Sequence, residues 1–321
     1  MGLHHLIIKT LSDLSLNGKS DDDAVLNVKL KDLISQKQLV KNVNSSNKLT
    51  NNSLNSGNYK SKIKGRGIEL EEIRPYSFGD DIRDIDWRVT ARKQSVYTKL
   101  YNQEKDIDVY VVFDFSASMM FGTLKELKSV TAAKALATVA WKAFDNSDRF
   151  GAIINDGKDC YSYKSNNSRN SILSIFNKLV DISNRKVDNK EFVDEISFEK
   201  TLKMAKSVIK SGSVVYVISD FMNFDEMQKK YISYISKSNS VNLINIYEDI
   251  EQNPPRANQY KAHIGDEDLV FDSSSKSFKI EYITHFNNKT NDLVSFANKF
   301  KCKYHEINNN LPISEQLGFL R

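Results

Sequence analysis

Ile-Asp-Val-Tyr-Val-Val-Phe-Asp-Phe-Ser-Ala-Ser runs from Ile107 to Ser118. Its first seven residues, through Phe113, are short, rich in β-branched side chains and bounded by polar residues, the pattern of a central strand buried on both faces of a parallel sheet. Asp114, Ser116 and Ser118 follow on one turn, two residues apart, so one carboxylate and two hydroxyls can face one point. In an open parallel sheet, ligands bind beyond the carboxyl ends of the strands where the strand order reverses, and a central first strand meets that condition.

Downstream, apolar strand-like runs alternate with helical patterns, which predicts an α/β fold: a mostly parallel central sheet with helices on both faces. Residues 124–146 place Ala133, Leu136, Ala140, Ala143 and Phe144 on one helical stripe, whose small residues permit close packing on a sheet. Strands are predicted at Arg149 to Asn155 and Cys160 to Tyr163, joined by the tight-turn pair Asp156-Gly157. SVVYVIS at 213–219 and VNLINIY at 241–247 read as further strands, and helices are predicted at 169–181, 198–210 and 224–237. Leu269 to Asp272 and Lys276 to Tyr282 read as a hairpin, before a helix at 290–300, a strand at 303–307 and a short terminal helix near 313–320.

Upstream, Leu26, Leu30, Leu33, Ile34 and Val40 fall at helical spacing and predict one amphipathic helix whose partner is not readable. Residues 42–58 are almost all Asn and Ser, with too little apolar area to offset ordering, and read as a flexible linker or surface loop. The expected organisation is an N-terminal helical and flexible extension over 1–59, a module packed on the sheet over 60–105, and the sheet domain over 106–321.

Length and composition, 321 residues with 40% hydrophobic and 27% charged side chains, are those of an ordinary globular protein. Residues 1–64 hold ten Lys and five Asp, which accounts for the whole net charge of +5 and leaves the remainder neutral. A folded nucleic-acid surface would concentrate Lys and Arg on one structured face, so that class is set aside. Cys160 and Cys302 follow no metal or redox spacing, and a reduced cytoplasmic setting is the simplest reading. The longest apolar run, Val109 to Phe113, is far below the roughly 18 residues of a membrane-spanning helix. The N-terminus shows neither a secretion-signal pattern nor, in MGLHHL, the Ser or Thr of a myristoylation site.

Asp220 ends the second clear strand. If that strand neighbours the first, Asp114, Ser116, Ser118 and Asp220 surround one solvent-accessible space on one rim. Hard cations such as Mg²⁺ take oxygen ligands and keep waters, so such a cluster leaves a coordination position for a partner's carboxylate. The bland reading of DFSAS is a strand-to-helix turn whose Ser and Asp cap the next helix. No catalytic arrangement competes: His263, His285 and His305 are scattered, His4 and His5 sit in a tail, and Gly65-Arg66-Gly67 lacks the context of a phosphate loop.

Asp114-x-Ser116-x-Ser118 after VYVVF, with Ile218-Ser219-Asp220-Phe221 downstream, resembles the metal-ion-dependent adhesion site of von Willebrand factor A domains. A longer motif lies upstream. Arg74-Pro75-Tyr76-Ser77-Phe78-Gly79-Asp80-Asp81, then Ile82-Arg83-Asp84-Ile85-Asp86-Trp87 and Ala91-Arg92, resembles the signature of the bacterial family called domain of unknown function 58. That likeness runs from about Gly65 to about Phe319 and takes in the terminal pattern ISEQLGFL. Within the signature, Gly79 permits a turn, Asp81 can cap a helix, and Ile82, Ile85 and Val89 give that helix an apolar stripe. Asp80, Arg83, Asp86 and Arg92 are candidates for ion pairs, and Trp87 reads as a packing anchor.

The resemblance implies a von Willebrand factor A-like sheet, an Mg²⁺ site at Asp114, Ser116, Ser118 and Asp220, and association with a MoxR-type AAA+ ATPase that supplies the hydrolysis this chain lacks. The adhesion-site pattern also places a Thr where this chain has Ile196, which cannot ligate a cation; neighbouring Ser197 is the substitute after a one-residue shift. Metal-bridged and metal-independent binding both stay open on this reading. The expected function is non-enzymatic protein–protein interaction or assembly. The alternatives are a metal-dependent phosphoester hydrolase built on Asp114 and Asp220 and electrostatic tethering of the Lys-rich residues 28–64 to nucleic acid or to an anionic membrane.

Overall fold

The structure, a computed structural model, describes residues 26–50, 68–103, 106–122, 125–189, 196–254, 259–264 and 267–320. His4, His5, residues 51–58 of the expected linker and Gly65-Arg66-Gly67 lie outside the described residues. Contacts divide the chain into two compact units, one joining the described residues up to Asn44 with those from Ile107 onward, the other spanning Ser45–Asp106.

In the larger unit the strand that opens at Asp108 is central, as its all-buried pattern demands. Six strands are arranged β10-β7-β6-β3-β4-β5, where β3 is Asp108–Asp114, β4 Arg149–Asn155, β5 Cys160–Asn166, β6 Val214–Ser219, β7 Ser240–Tyr247 and β10 Lys303–Asn308. Every pairing is parallel except that of β4 with the edge strand β5. Chain order reverses between β3 and β6, which makes their carboxyl ends the switch point where doubly wound sheets bind ligands.

Alternation along β3 feeds two cores. Val109, Val111 and Phe113 pack with α3 (Lys128–Asp145) and α4 (Arg169–Asp188). Tyr110 and Val112 face α5 (Phe198–Val208), α6 (Glu226–Ser236) and α8 (Lys276–Phe300). The expected stripe on α3 is buried, but so is most of the helix's remaining surface. The cover is the N-terminal helix α1 (Leu30–Thr50), whose Val40 and Leu33 join the same core. Trp141 Nε1 donates to the Leu33 carbonyl at 2.9 Å, and the Lys37 ammonium stands 5.1 Å over the Trp141 ring. Val28 N–H donates to Ser183 Oγ at 2.9 Å, tying the start of this segment to α4.

Within the stretch expected as an N-terminal extension, Val28, Leu33 and Val40 join the core of the sheet unit. Two expectations are corrected. Residues 42–50 are not linker: α1 runs to Thr50, since propagating a helix already held by packing costs far less than starting one. Leu269–Asp272 pairs with β8 (Gln259–Ile264) as part of β9 (Glu267–Asp272), not with Lys276–Tyr282. The latter opens α8, where Ser275 Oγ accepts from Phe278 N–H and Tyr282, Phe286, Leu293, Phe296 and Ala297 form the buried stripe.

The smaller unit is a hairpin-like module. β1 (Ile68–Pro75) and β2 (Tyr97–Gln103) pair antiparallel, with a register irregularity between Leu70 and Glu72. Between them lie a 3₁₀ turn at Ile82–Asp84 and α2 (Trp87–Lys93). Gly79 takes φ +103°, a left-handed turn conformation suited to glycine. Asp81 caps the 3₁₀ turn by accepting from Arg83 N–H, and Asp86 caps α2 by accepting from Arg88 and Val89 N–H. Asp80 pairs with Arg74 at 2.7 Å and Asp86 with Lys99 at 3.6 Å, both inside the module. Trp87 is not a packing anchor. It is 66% exposed at the first position of α2, and Phe78, Ile82 and Val96 of the same module are exposed as well.

Candidate functional site

The parallel register that sets Phe113 against Ile218 brings the ends of β3 and β6 side by side, so Asp114 and Asp220 share one rim as the spacing implied. The rim is closed rather than open. Asp114 is 4% and Asp220 1% exposed, while Met119, Met120 and Phe121 bury the turn that follows. The expected solvent-accessible space around both carboxylates is therefore absent among the described residues.

Asp114 uses both oxygens internally. Oδ1 accepts from Ser116 N–H at 3.0 Å and shapes the turn; Oδ2 accepts from Ser219 Oγ at 2.7 Å across the strand pair. Ser219 Oγ in turn accepts from Phe221 N–H at 3.0 Å. Phe221 holds φ 47°, the left-handed region that a bulky residue seldom enters, so the chain leaves β6 through a strained turn. Burial first, and the nearby Asp220 charge second, push the Asp114 carboxyl up to about 7. Ser116 Oγ and Ser118 Oγ lie 3.2 Å apart and share a hydrogen bond, with Ser118 half-buried.

Asp220 meets a cation supplied by the chain. Lys128 Nζ stands 2.7 Å from Asp220 Oδ2 and 2.6 Å from Glu251 Oε1, and all three side chains are 0–1% exposed. Glu251 comes from α7 (Asp249–Gln252), the short helix after β7. The ring of Phe121 lies 5.7 Å from the ammonium. Burial works against the charge on Asp220, but the Lys128 ammonium outweighs it and holds that carboxyl below its ordinary value. Lys128 is likewise held above the usual lysine range: burial opposes its charge, and Asp220 and Glu251 overcome that opposition. Lys289 on α8 is electrostatically coupled to Glu251, Asp220 and Lys128, with burial pulling its proton affinity down.

As a divalent-metal site this donor set does not fit. Asp220 Oδ2 is held by an ammonium, Asp114 is committed to Ser219 and Ser116, and the two serine hydroxyls are bonded to each other. Ile196 has no ligand atom. Its N–H donates to Gly157 O at 2.9 Å, which fixes this turn beside the end of β4. Ser197 is exposed at the start of α5 and, among the described residues, makes no hydrogen bond to the Asp114–Asp220 group. No group of three or more His, Cys, Asp or Glu is placed to hold a metal ion among the described residues.

Lys128 and Glu251 carry no motif, and Ser219 lies within the Ile218–Phe221 run without being a predicted site residue. One local signal does mark Lys128: it opens α3, where the helix dipole disfavours a cation, so its presence there implies specific partners. Asn155 completes the rim, its carbonyl accepting from Phe115 N–H at 2.7 Å.

With this geometry in hand, comparison with known proteins places the chain. Three curated relatives, an uncharacterized protein of Mycobacterium bovis and one from each of two Mycobacterium tuberculosis strains, are 35% identical over 101 residues, which covers 32% of this chain and 32% of each relative. The match thus spans about a third of the length of these relatives. Among solved structures, the conserved hypothetical protein BatB of Bacteroides thetaiotaomicron aligns with TM-score 0.37 and 12% identity, covering 65% of this chain and 94% of that one. An aerotolerance-related membrane protein of Bacteroides fragilis aligns with TM-score 0.34 and 14% identity, covering 61% and 98%. At such TM-scores neither alignment bears on this chain's role. A family described as "Protein of unknown function DUF58" matches residues 72–291, from within β1 into α8. That match covers well over half of the chain, which therefore belongs to the DUF58 family.

Proposed function

We propose that this chain is a non-enzymatic interaction or assembly module of von Willebrand factor A-like architecture, and that its rim around Ser116 and Ser118 docks a partner protein. A MoxR-type AAA+ ATPase is the partner that the family resemblance implies. One observation carries the reading. The DFSAS turn and the Ser219-Asp220 pair meet at the switch point of the sheet, yet Asp220 there is paired from within by Lys128 and Asp114 is taken up by Ser116 and Ser219. A rim of this kind keeps its shape and offers the half-buried Ser118 beside the buried Ser116, but presents no reactive acid pair to a substrate. The free thiols point the same way. Burial raises the pKa of both Cys160 and Cys302, the latter to about 11, so neither is activated as a nucleophile. Free cysteines also favour a cytoplasmic setting.

Co-purification from the native cell tests this. The wild-type chain recovers an AAA+ protein, and Ser118→Arg, which places a bulky cation on the rim without touching Asp114, loses it while circular dichroism is unchanged. Recovery of an AAA+ protein to the same extent by both forms, or by neither, overturns the proposal. A phosphoester hydrolase would need Asp220 released from Lys128 and a metal seated instead. Turnover of a generic phosphoester that stops on chelation would establish that alternative.

A further inference from the structure

We propose that Lys128 is the resident cation of this site: its side-chain ammonium takes the place that a divalent metal would hold beside Asp220, so the rim works without metal. This inference concerns the site's cation and stands whatever partner the rim binds.

Four observations converge. The ammonium lies 2.7 and 2.6 Å from oxygens of two carboxylates that come from different elements, the end of β6 and α7, as a bridging ion would. Such short charge-assisted contacts define a built seat rather than a passing surface pair. All three side chains are 0–1% exposed, and an unpaired carboxylate at that depth would be strongly disfavoured, so some cation is required there. The position of Lys128 is otherwise unfavourable, since the first residue of a helix faces the positive end of the dipole. Finally, the charge of Lys289 on α8 also acts on Asp220 and Glu251, so the chain itself supplies positive charge there.

A consequence follows for recognition. Binding through a metal ion needs an open coordination position that a partner's carboxylate fills. With an ammonium held by Asp220 and Glu251 and the Phe121 ring 5.7 Å away, no such position is open among the described residues, and the partner group at Ser116 and Ser118 is one that hydrogen-bonds hydroxyls directly.

The test is Mn²⁺ binding by the full chain, read by electron paramagnetic resonance and by thermal unfolding with and without chelator. The wild-type chain leaves the Mn²⁺ spectrum that of the free ion, and its Tm does not move with Mn²⁺, Mg²⁺ or chelator. Lys128→Met frees the seat and binds one Mn²⁺ per chain. At 100-fold excess over Kd its Tm rises by about 4 °C, and adding Asp220→Asn or Glu251→Gln abolishes the rise. Where Lys128→Met does not fold, Lys128→Gln, which removes the charge and keeps a polar side chain in the seat, carries the same expectation. Stoichiometric Mn²⁺ binding by the wild-type chain that Asp220→Asn removes overturns the proposal. So does a folded Lys128→Met chain that binds none.

Discussion

Replacing Asp114 by Asn keeps the shape of the turn and removes one ionisation, and the consequence should be read in the pH dependence of stability. Burial, aided by the Asp220 charge, lifts this carboxyl from an ordinary 3.8 to about 7 in the folded chain. The folded state then holds a proton that the unfolded state has released, so stability attached to this group is fully present below about pH 4 and is lost as pH rises to about 7. At about 1.4 kcal/mol per tenfold change in affinity, the whole displacement is worth about 4 kcal/mol, of which about 2–3 kcal/mol falls between pH 5 and 8. Urea unfolding of the wild-type and Asp114→Asn chains, followed by circular dichroism across that range, isolates the term as the change in their difference. The variant gains on the wild type by about 2–3 kcal/mol from pH 5 to pH 8. Parallel profiles would show an ordinary, solvated carboxylate at 114 and would refute the closed rim.

Other perturbations probe other parts of the structure. Lys128→Met leaves Asp220 and Glu251 buried without a partner and should destabilise the chain by about 3–5 kcal/mol near neutral pH; in a urea titration, adding Asp220→Asn and Glu251→Gln recovers most of that loss. Gly151→Ala would set a Cβ 2.6 Å from the Tyr110 ring and 2.8 Å from Tyr163 O, prising β4 from β5. Equilibrium unfolding should report a loss of about 1–3 kcal/mol for that overpacking. Trp141→Ala removes a fully buried indole and its bond to Leu33, a loss of about 3–5 kcal/mol. Trp87→Ala, by contrast, should alter stability by no more than about 0.5 kcal/mol, since that indole is 66% exposed; a larger loss would mean the module packs its aromatic face after all.

Most of the sheet was legible because β-branched, uninterrupted runs such as VYVVF and SVVYVIS can be satisfied only where both faces are covered. Their edges were equally clear at Asp114, Asn155 and Asp220, where a polar residue ends each run. Lys276–Tyr282 misled for a local reason. FKIEYI alternates apolar and charged residues like a strand, and only the longer stripe through Phe286, Leu293 and Phe296 shows the helix. Trp87 misled in the opposite way, since aromatic character says that a side chain gains from burial but not that the backbone provides a place for it.

Sequence alone determined the α/β alternation, the DUF58 signature between Arg74 and Arg92, and the presence of Asp114, Ser116, Ser118 and Asp220 at strand ends. Those are properties of short windows, where periodicity and termination are written locally. Only the tertiary structure decided that Lys128, 92 positions from Asp220 and 123 from Glu251, closes on both of them. It also decided that the N-terminal helix completes the core over α3. The physical reason is that a carboxylate's role depends on which cation reaches it and how much water remains, and both are set by elements that meet only when the sheet is assembled.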